Sequence, residues 1–432
     1  MKPLRGRYKI IVVYAIYGGL VMCGSTTLPQ NSHRHGCTGN KPQFEMADIF
    51  NRYLDRYLRS HKISYLQRKI IRAIQLCRTI ALGGHRRECD LCDYVEQSYN
   101  SCGNRHCPKC QGALRAKWVD ARLDELLPIP YYHVVFTLPH FLNNLTLYNK
   151  EIIYDIFFKA ASQTLLAFGQ DPKYLGAQLG LVAILHTWGQ DLCYHVHLHF
   201  IVMGGGITFD GKGWRHLPYR KDFLFPVEAV SKVMKGKFRD MLDDAYRDGD
   251  LQFPDDLKCL TAPICFEHFK LDLMAQEWYC YSRKPFAGPE EVVKYVGRYT
   301  HRVAITNHRL LSIDNGQITF TYKDYRDNDK IKHRILPSNV FIQRFLLHVL
   351  PKGFRKIRYS GILANSIRKE KIATARKLLG VMAQELIDTN PVLSDIFGDK
   401  EDPDRCPLCK EGRMVTTEVI PRPFSYMLLD SS

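Results

Sequence analysis

The chain has 432 residues, is 45% hydrophobic and carries a formal net charge of +17. That length and composition suffice for a sizeable core and for two or three domains, and the clustered cationic excess points to a polyanionic partner: nucleic acid or an acidic membrane surface. Fourteen cysteines do not make it a secreted disulfide protein, because Cys89/Cys92, Cys107/Cys110 and Cys406/Cys409 are C-x-x-C pairs, the spacing of metal knuckles in a reducing compartment.

Residues 1–30 open with the basic MKPLRGRYK, followed by the apolar IIVVYAIYGGLVMCG. The pattern is signal-peptide-like and too short for a confident spanning helix. Residues 31–42 are polar and turn-rich. We read 1–43 as a leader outside the fold, a start-site artefact or expendable extension, with the fold beginning near Phe44 or Met46.

Residues 46–82 predict two helices: Ile49, Tyr53 and Tyr57 recur at helical spacing, and Ile70, Ile74 and Ile80 do so less regularly. Their Arg- and Lys-rich faces are either ordinary solvated surface or phosphate contacts. Next comes GGHRRECDLCDYVEQSYNSCGNRHCPKCQ, residues 83–111. Cys89, Cys92, Cys107 and Cys110 are expected to close one tetrahedral Zn²⁺ site, with a short hairpin between the knuckles. His85, Cys102 and His106 are spare candidates for a ligand or a second ion. Arg86, Arg87, Arg105, Lys109 and Arg115 make this module basic, as suits a nucleic-acid grip.

Farther on, YYHVVFTL alternates as a strand after Pro128, residues 148–168 read as an amphipathic helix, and LGLVAILHTWGQ, residues 179–190, is an apolar strand. It leads by a short Gly-Gln-Asp turn into DLCYHVHLHFIVMGGG, residues 191–206. Tyr194, Val196, Leu198, Phe200 and Val202 alternate as one strand face, which puts His195, His197 and His199 on the other. Three imidazoles in a row are either satisfied side chains or a metal site. The Gly204-Gly205-Gly206 run is expected to end the strand and admit another backbone. Residues 221–250 contain a helix and 251–270 read as turns.

In WYCYSRKPFAGPEEVVKYVGRYTHRVAI, residues 278–305, Pro289 and two glutamates start a helix well. Tyr295 and Tyr299 stand at i and i+4 on it, so their hydroxyls share a face, with Lys294 and Arg298 alongside. Alone, that spacing means core packing. Beside a metal-binding histidine strand, it fits a nuclease forming a phosphotyrosine link. Residues 308–336 predict a hairpin turning at Asp314-Asn315-Gly316, and 341–350 an apolar helix. Residues 352–377 are basic with Phe354 and Tyr359 interleaved, a nucleic-acid-facing surface or a solvated helix. Cys406 and Cys409 form a lone knuckle, a weak zinc signal.

YNSCGNRHCPKCQ, YYHVVFTLPH, LHTWGQDLCYHVHLHFIVMGGG, KPFAGPEEVVKYVGRYTHRVAI and FLLHVLPKGFRKIRYSGILAN together resemble the HUH-type two-tyrosine transposases of rolling-circle insertion sequences, which carry an N-terminal zinc-binding domain. The resemblance spans roughly residues 44–380. Val196 and Met203 stand where such proteins often have proline; neither change removes a chemical group.

The resemblance implies an α+β chain: an HUH nuclease fold, an antiparallel sheet flanked by helices, preceded by the small zinc module. We divide it into a helical and zinc-binding DNA-binding domain at 44–125, a nuclease domain at 126–350 and a basic C-terminal region at 351–432. It implies that Tyr295 and Tyr299 are nucleophiles and that His197 and His199 bind a divalent cation, Mg²⁺ or Mn²⁺. A third ligand is implied, with Gln190 and His195 as candidates. Arg298, Arg302, Arg355, Lys356 and Arg358 are the expected DNA contacts. The implied activity is cleavage and rejoining of single-stranded or hairpin DNA at element ends through 5′-phosphotyrosine, in the bacterial cytoplasm at the nucleoid, with no membrane partner. Three rivals stand beside it: an HUH replication initiator or relaxase, a non-catalytic zinc-dependent DNA-binding protein, and a metallohydrolase using all three histidines.

Overall fold

The computed structural model describes residues 42–111, 125–217, 224–283, 303–325, 327–381 and 404–423. Two capped helices come first. In α1 (Met46–Leu58) the Glu45 backbone N–H donates to Asp48 Oδ2 at 2.7 Å. In α2 (Tyr65–Leu76) Ser64 and Gln67 cap each other, Gln67 N–H to Ser64 Oγ at 3.2 Å and Ser64 N–H to Gln67 Oε1 at 2.9 Å. Each box satisfies amide groups that a helix start leaves open.

A hairpin of β1 (Gly84–Cys89) and β2 (Val95–Tyr99) follows, then β3 (Tyr131–Thr137), the short α3 (Asn143–Tyr148) and the long α4 (Lys150–Gln170). The expected hairpin is present as β4 (Gln178–Trp188) and β5 (Tyr194–Ile207), with β6 (Trp214–His216) pairing against the end of β5. The triple glycine does not end β5; the strand runs through it. The close approach is real, since a Cβ at Gly204 would lie 2.6 Å from Pro130 O.

After α5 (Val227–Arg247), the stretch expected as turns holds a helix, α6 (Pro263–Ala275), started by a proline at its first position. Only Phe266 and Leu273 of α6 are buried, so it carries too thin an apolar stripe to read as amphipathic. Next are β7 (Tyr279–Arg283), β8 (Leu310–Asp314), β9 (Gln317–Asp324), β10 (Lys330–Pro337) and α7 (Ser338–Leu347). The β8–β9 turn is tight because Asn315 and Gly316 both take positive φ, 49° and 74°, as a two-residue hairpin turn demands. The expected hairpin is thus the first part of a three-stranded meander. The chain continues through β11 (Ile357–Gly361), α8 (Arg368–Leu379) and β12 (Met414–Ile420).

Among the described residues these strands build three antiparallel sheets. The central one runs β11-β4-β5-β3-β7, the meander runs β10-β9-β8, and the third runs β12-β1-β2. Part of the basic 352–377 stretch is therefore an edge strand of the central sheet, not a free surface helix.

One face of β5 (Val196, Leu198, Phe200, Val202) packs against the buried faces of α4, α5 and α6, including Phe157, Phe238 and Phe266. Each such fully buried side chain contributes about 1.5–3 kcal/mol. On its other face Ile201 and Met203 pack with Ile372 and Ala375 of α8. His199, His197 and His195 continue that row past the packed part. A second core joins α1 and α2 to α7 and the meander; Met46 N–H, for example, donates to Asn307 Oδ1 at 3.1 Å, 261 residues on.

The tip of the β4–β5 hairpin plugs into that second core. Leu192, with φ 63°, is fully buried there. Arg344 Nη1 donates to Asp191 O at 3.2 Å, Arg334 Nη1 lies 3.4 Å from Asp191 Oδ2, and Arg309 donates to Gln190 O. Burial pushes the Asp191 carboxyl up, but hydrogen bonds from Cys193 and the Arg334 charge more than offset this and hold it below its ordinary value. The histidine strand is thus fixed at its turn by a separate core.

Candidate metal centres

The structure does not bring Cys89, Cys92, Cys107 and Cys110 into one site. It divides the two knuckles between two four-cysteine clusters, Cys77/Cys102/Cys107/Cys110 and Cys89/Cys92/Cys406/Cys409. The reason is geometric: the β1–β2 hairpin carries the first knuckle at its turn, away from its base, where Cys77 ends α2 and Cys102 follows β2. Cys102 takes a ligand position; His85 and His106 join neither cluster.

In the first cluster, Cys77 Sγ and Cys102 Sγ lie 3.5 and 3.6 Å from Cys110 Sγ. Four sulfurs around Zn²⁺ at about 2.3 Å form a tetrahedron with edges of about 3.8 Å, so the donor set fits. The thiols share protons: hydrogen bonds among them, led by that with Cys102, pull Cys77 down and push Cys107 up. Cys77 and Cys107 are fully buried, within the second core.

The third cluster is His186, His197 and His199, with ring nitrogens within 4.8 Å of one another. His186 lies directly opposite His197 across the β4–β5 ladder, so three imidazoles from two adjacent strands converge. His197 Nδ1 faces the His195 carbonyl at 3.0 Å, and His199 Nδ1 lies 2.9 Å from His133 Nε2. Nδ1 donating at both rings would fix the tautomer that turns Nε2 toward the centre, the usual support of a metal-bound histidine.

Of the expected third ligands, His195 lies outside this cluster, though its ring centre is 5.2 Å from that of His197. Gln190, in the hairpin turn, donates to Tyr325 Oη at 3.0 Å. His195 Nδ1 pairs with His140 Nε2 at 3.0 Å. The residue missed was His186, and its signal was present: the phrase LHTWGQDLCYHVH puts it on the partner strand of a short hairpin. A register shift between His186 and Trp188 is what brings it opposite His197.

Tyr295 and Tyr299, with Arg298 and Arg302, lie outside the described residues. Of the C-terminal basic set, Arg355 is exposed. Arg358 is committed internally: it pairs with Asp155 and its guanidinium lies 4.2 Å from the Phe158 ring centre and 5.1 Å from that of Phe354. Lys356 faces a small cavity with Arg105, His106, Trp188, Phe345 and His348. Burial, reinforced by Arg105, brings its ammonium down to about 8. Trp188 stacks on His186, centroids 4.7 Å apart, so this cationic cavity borders the histidine centre.

A family described as "Transposase zinc-binding domain" matches residues 49–138, and one described as "Putative transposase" matches residues 180–371. "Putative transposase y4qJ" of Sinorhizobium fredii is 43% identical over 387 residues, 87% of this chain and 95% of that protein. The chain belongs to a family of transposases. "Transposase for insertion sequence element IS801" of Pseudomonas savastanoi pv. phaseolicola is 29% identical over 350 residues, 80% of this transposase and 82% of that one. No solved structure matches it significantly.

The zinc-binding match contains the whole Cys77–Cys110 cluster, and the second match contains His186, His197 and His199. Residues 404–423 of the transposase lie beyond both. Among the described residues, no helix is long and apolar enough to cross a membrane.

Proposed function

We propose that this transposase is an HUH-type, metal-dependent nuclease and strand transferase. It cuts and rejoins single-stranded or hairpin DNA at the ends of its element, in rolling-circle transposition within the cytoplasm. The observation that carries the reading is the meeting of His186, His197 and His199 on adjacent strands, with Nδ1 of His197 against the His195 carbonyl and Nδ1 of His199 against His133 Nε2. A divalent cation held there, Mg²⁺ or Mn²⁺, would polarise the scissile phosphodiester and offset its developing charge. A structural zinc at Cys77, Cys102, Cys107 and Cys110 would hold the N-terminal helices on the second core.

The chain's own part in the reaction falls to Tyr295 and Tyr299. A tyrosine oxygen forms a bond to phosphorus, the bond from phosphorus to the 3′ oxygen breaks, and the proton the phenol gives up is balanced by the one the 3′ oxygen takes on. The products are a 5′-phosphotyrosine and a free 3′-hydroxyl. Attack by a 3′-hydroxyl reverses the step without ATP. Two nucleophiles four residues apart in sequence would let one hold the first end while the other cuts again. Arg355, exposed beside the central sheet, suits the strand's phosphates.

The test is a denaturing gel for a covalent complex with single-stranded DNA from the element's end, plus divalent cation. Wild type forms the adduct; Tyr295→Phe/Tyr299→Phe and His197→Ala/His199→Ala are expected to lose it, and His186→Ala to weaken it at least tenfold. Adduct at wild-type level in the double tyrosine variant would place the nucleophile elsewhere.

A further inference from the structure

We propose that Cys89, Cys92, Cys406 and Cys409 bind a second structural zinc, completing a zinc ribbon assembled from opposite ends of the chain. This stands independently of the nuclease reading. Cys89 Sγ lies 3.7 Å from Cys409 Sγ, and Cys92 Sγ lies 3.7 Å from Cys406 Sγ, a pair separated by 314 residues in sequence. These are the edges of a zinc tetrathiolate, about 3.8 Å, and far longer than a disulfide's bond of about 2.05 Å.

The surroundings are built for sulfur. Leu91 N–H points at Cys89 Sγ at 3.4 Å and Gly412 N–H at Cys409 Sγ at 3.2 Å. Such amide donors stabilise metal-bound thiolates. Lys410 turns the second knuckle with φ 64°. Gly412 passes so near the other knuckle that a Cβ there would lie 2.4 Å from Cys89 Sγ. Both C-x-x-C turns therefore close on one point, and they do so only with glycine at 412.

The rest of the contact cannot hold the two ends together by burial. β12 pairs with β1 from Gly84↔Ile420 to Cys89↔Met414, and Arg87 bridges Asp404 at 2.6 Å. Arg413 N–H donates to Asp90 Oδ1 at 2.7 Å. Yet only Met414 of β12 is buried, while Val415 and Val419 are 51% and 66% exposed. A three-stranded ribbon with so little core needs a staple to persist. Four thiolates select zinc or iron; Cys89 and Cys92 fall within the match to a zinc-binding domain, so zinc is the inference.

The experiment is metal analysis of the purified full-length chain. Two zinc ions per chain are expected, falling to one in Cys406→Ser/Cys409→Ser, with the one retained at Cys77/Cys102/Cys107/Cys110. Wild-type zinc content in that variant, or iron in place of zinc, overturns the proposal. Because that variant risks misfolding, Gly412→Val provides a milder arm. With its circular dichroism unchanged, it should release one zinc to a chelator at least tenfold faster than wild type; equal release for both ions would refute the shared site.

Discussion

Cys77, Cys107 and Cys110 sit inside the core that α1 and α2 share with α7 and the meander, whereas Cys89, Cys92, Cys406 and Cys409 sit on a ribbon with a largely exposed outer strand. The same four-thiol chemistry therefore does different work in the two places. In the core, a metal would add to apolar packing that already exists around Ile70, Ile71 and Ile74. On the ribbon, it would stand in for packing that is absent. Loss of either ion should be felt in proportion to what depends on it.

The largest effect is expected from Cys107→Ser. Apparent zinc binding of about 10–16 kcal/mol matches or exceeds a domain's whole stability of about 5–15 kcal/mol. Calorimetry should show the transition of the second core lost in that variant, with that of the central sheet retained. Cys92→Ser should retain both transitions close to the wild-type temperature. A similar collapse in both would erase the contrast.

Packing alone gives a smaller and sharper comparison. Leu192→Ala removes a fully buried side chain from the second core and is expected to cost about 2–5 kcal/mol by urea unfolding. It should also loosen the hairpin that carries His186 and His197. Val419→Ala, on the exposed ribbon strand, should stay within about 0.5 kcal/mol.

A further effect is a pH slope that belongs to the core. His348 is 3% exposed, with its ring 3.3 Å from both Thr187 Oγ1 and Leu192 O, and burial brings it down to about 3. An unfolded histidine titrates near 6.5. Above pH 6.5 neither state binds the proton. Between 6.5 and 3 only the unfolded chain binds it, so this group lowers stability as pH falls through that window and adds no further slope below it. Urea midpoints at pH 7 and pH 5 should differ less in His348→Asn than in wild type.

What could be read from sequence follows the range of the signal. Alternation around Val196 and Leu198, the Asn315-Gly316 turn and the helical spacing of Ile49, Tyr53 and Tyr57 are local patterns, and each marks an element that is present, though β5 runs on through the glycines expected to end it. The ligand sets are not local. His186 meets His197 through cross-strand register, and Cys89 meets Cys409 across 320 residues. Spacing identified knuckles but not their partners, because two C-x-x-C pairs close in sequence belong to opposite ends of a hairpin. The helix α6 lacked an apolar period, and β10 carries only one buried residue, Leu336, so neither announced itself.

The ribbon's two-ended construction also sets a clock on synthesis. Cys77 and Cys110 are separated by 33 residues, Cys92 and Cys406 by 314. At about 5–20 residues per second on the ribosome, the first cluster gains its last ligand roughly 2–7 s after its first, while the ribbon waits roughly 15–60 s. For that interval β1 is an open edge beside two unoccupied thiols, exposed to oxidation and to mispairing with another nascent chain. A ribosome that stops before Cys406 releases a chain whose ribbon cannot close.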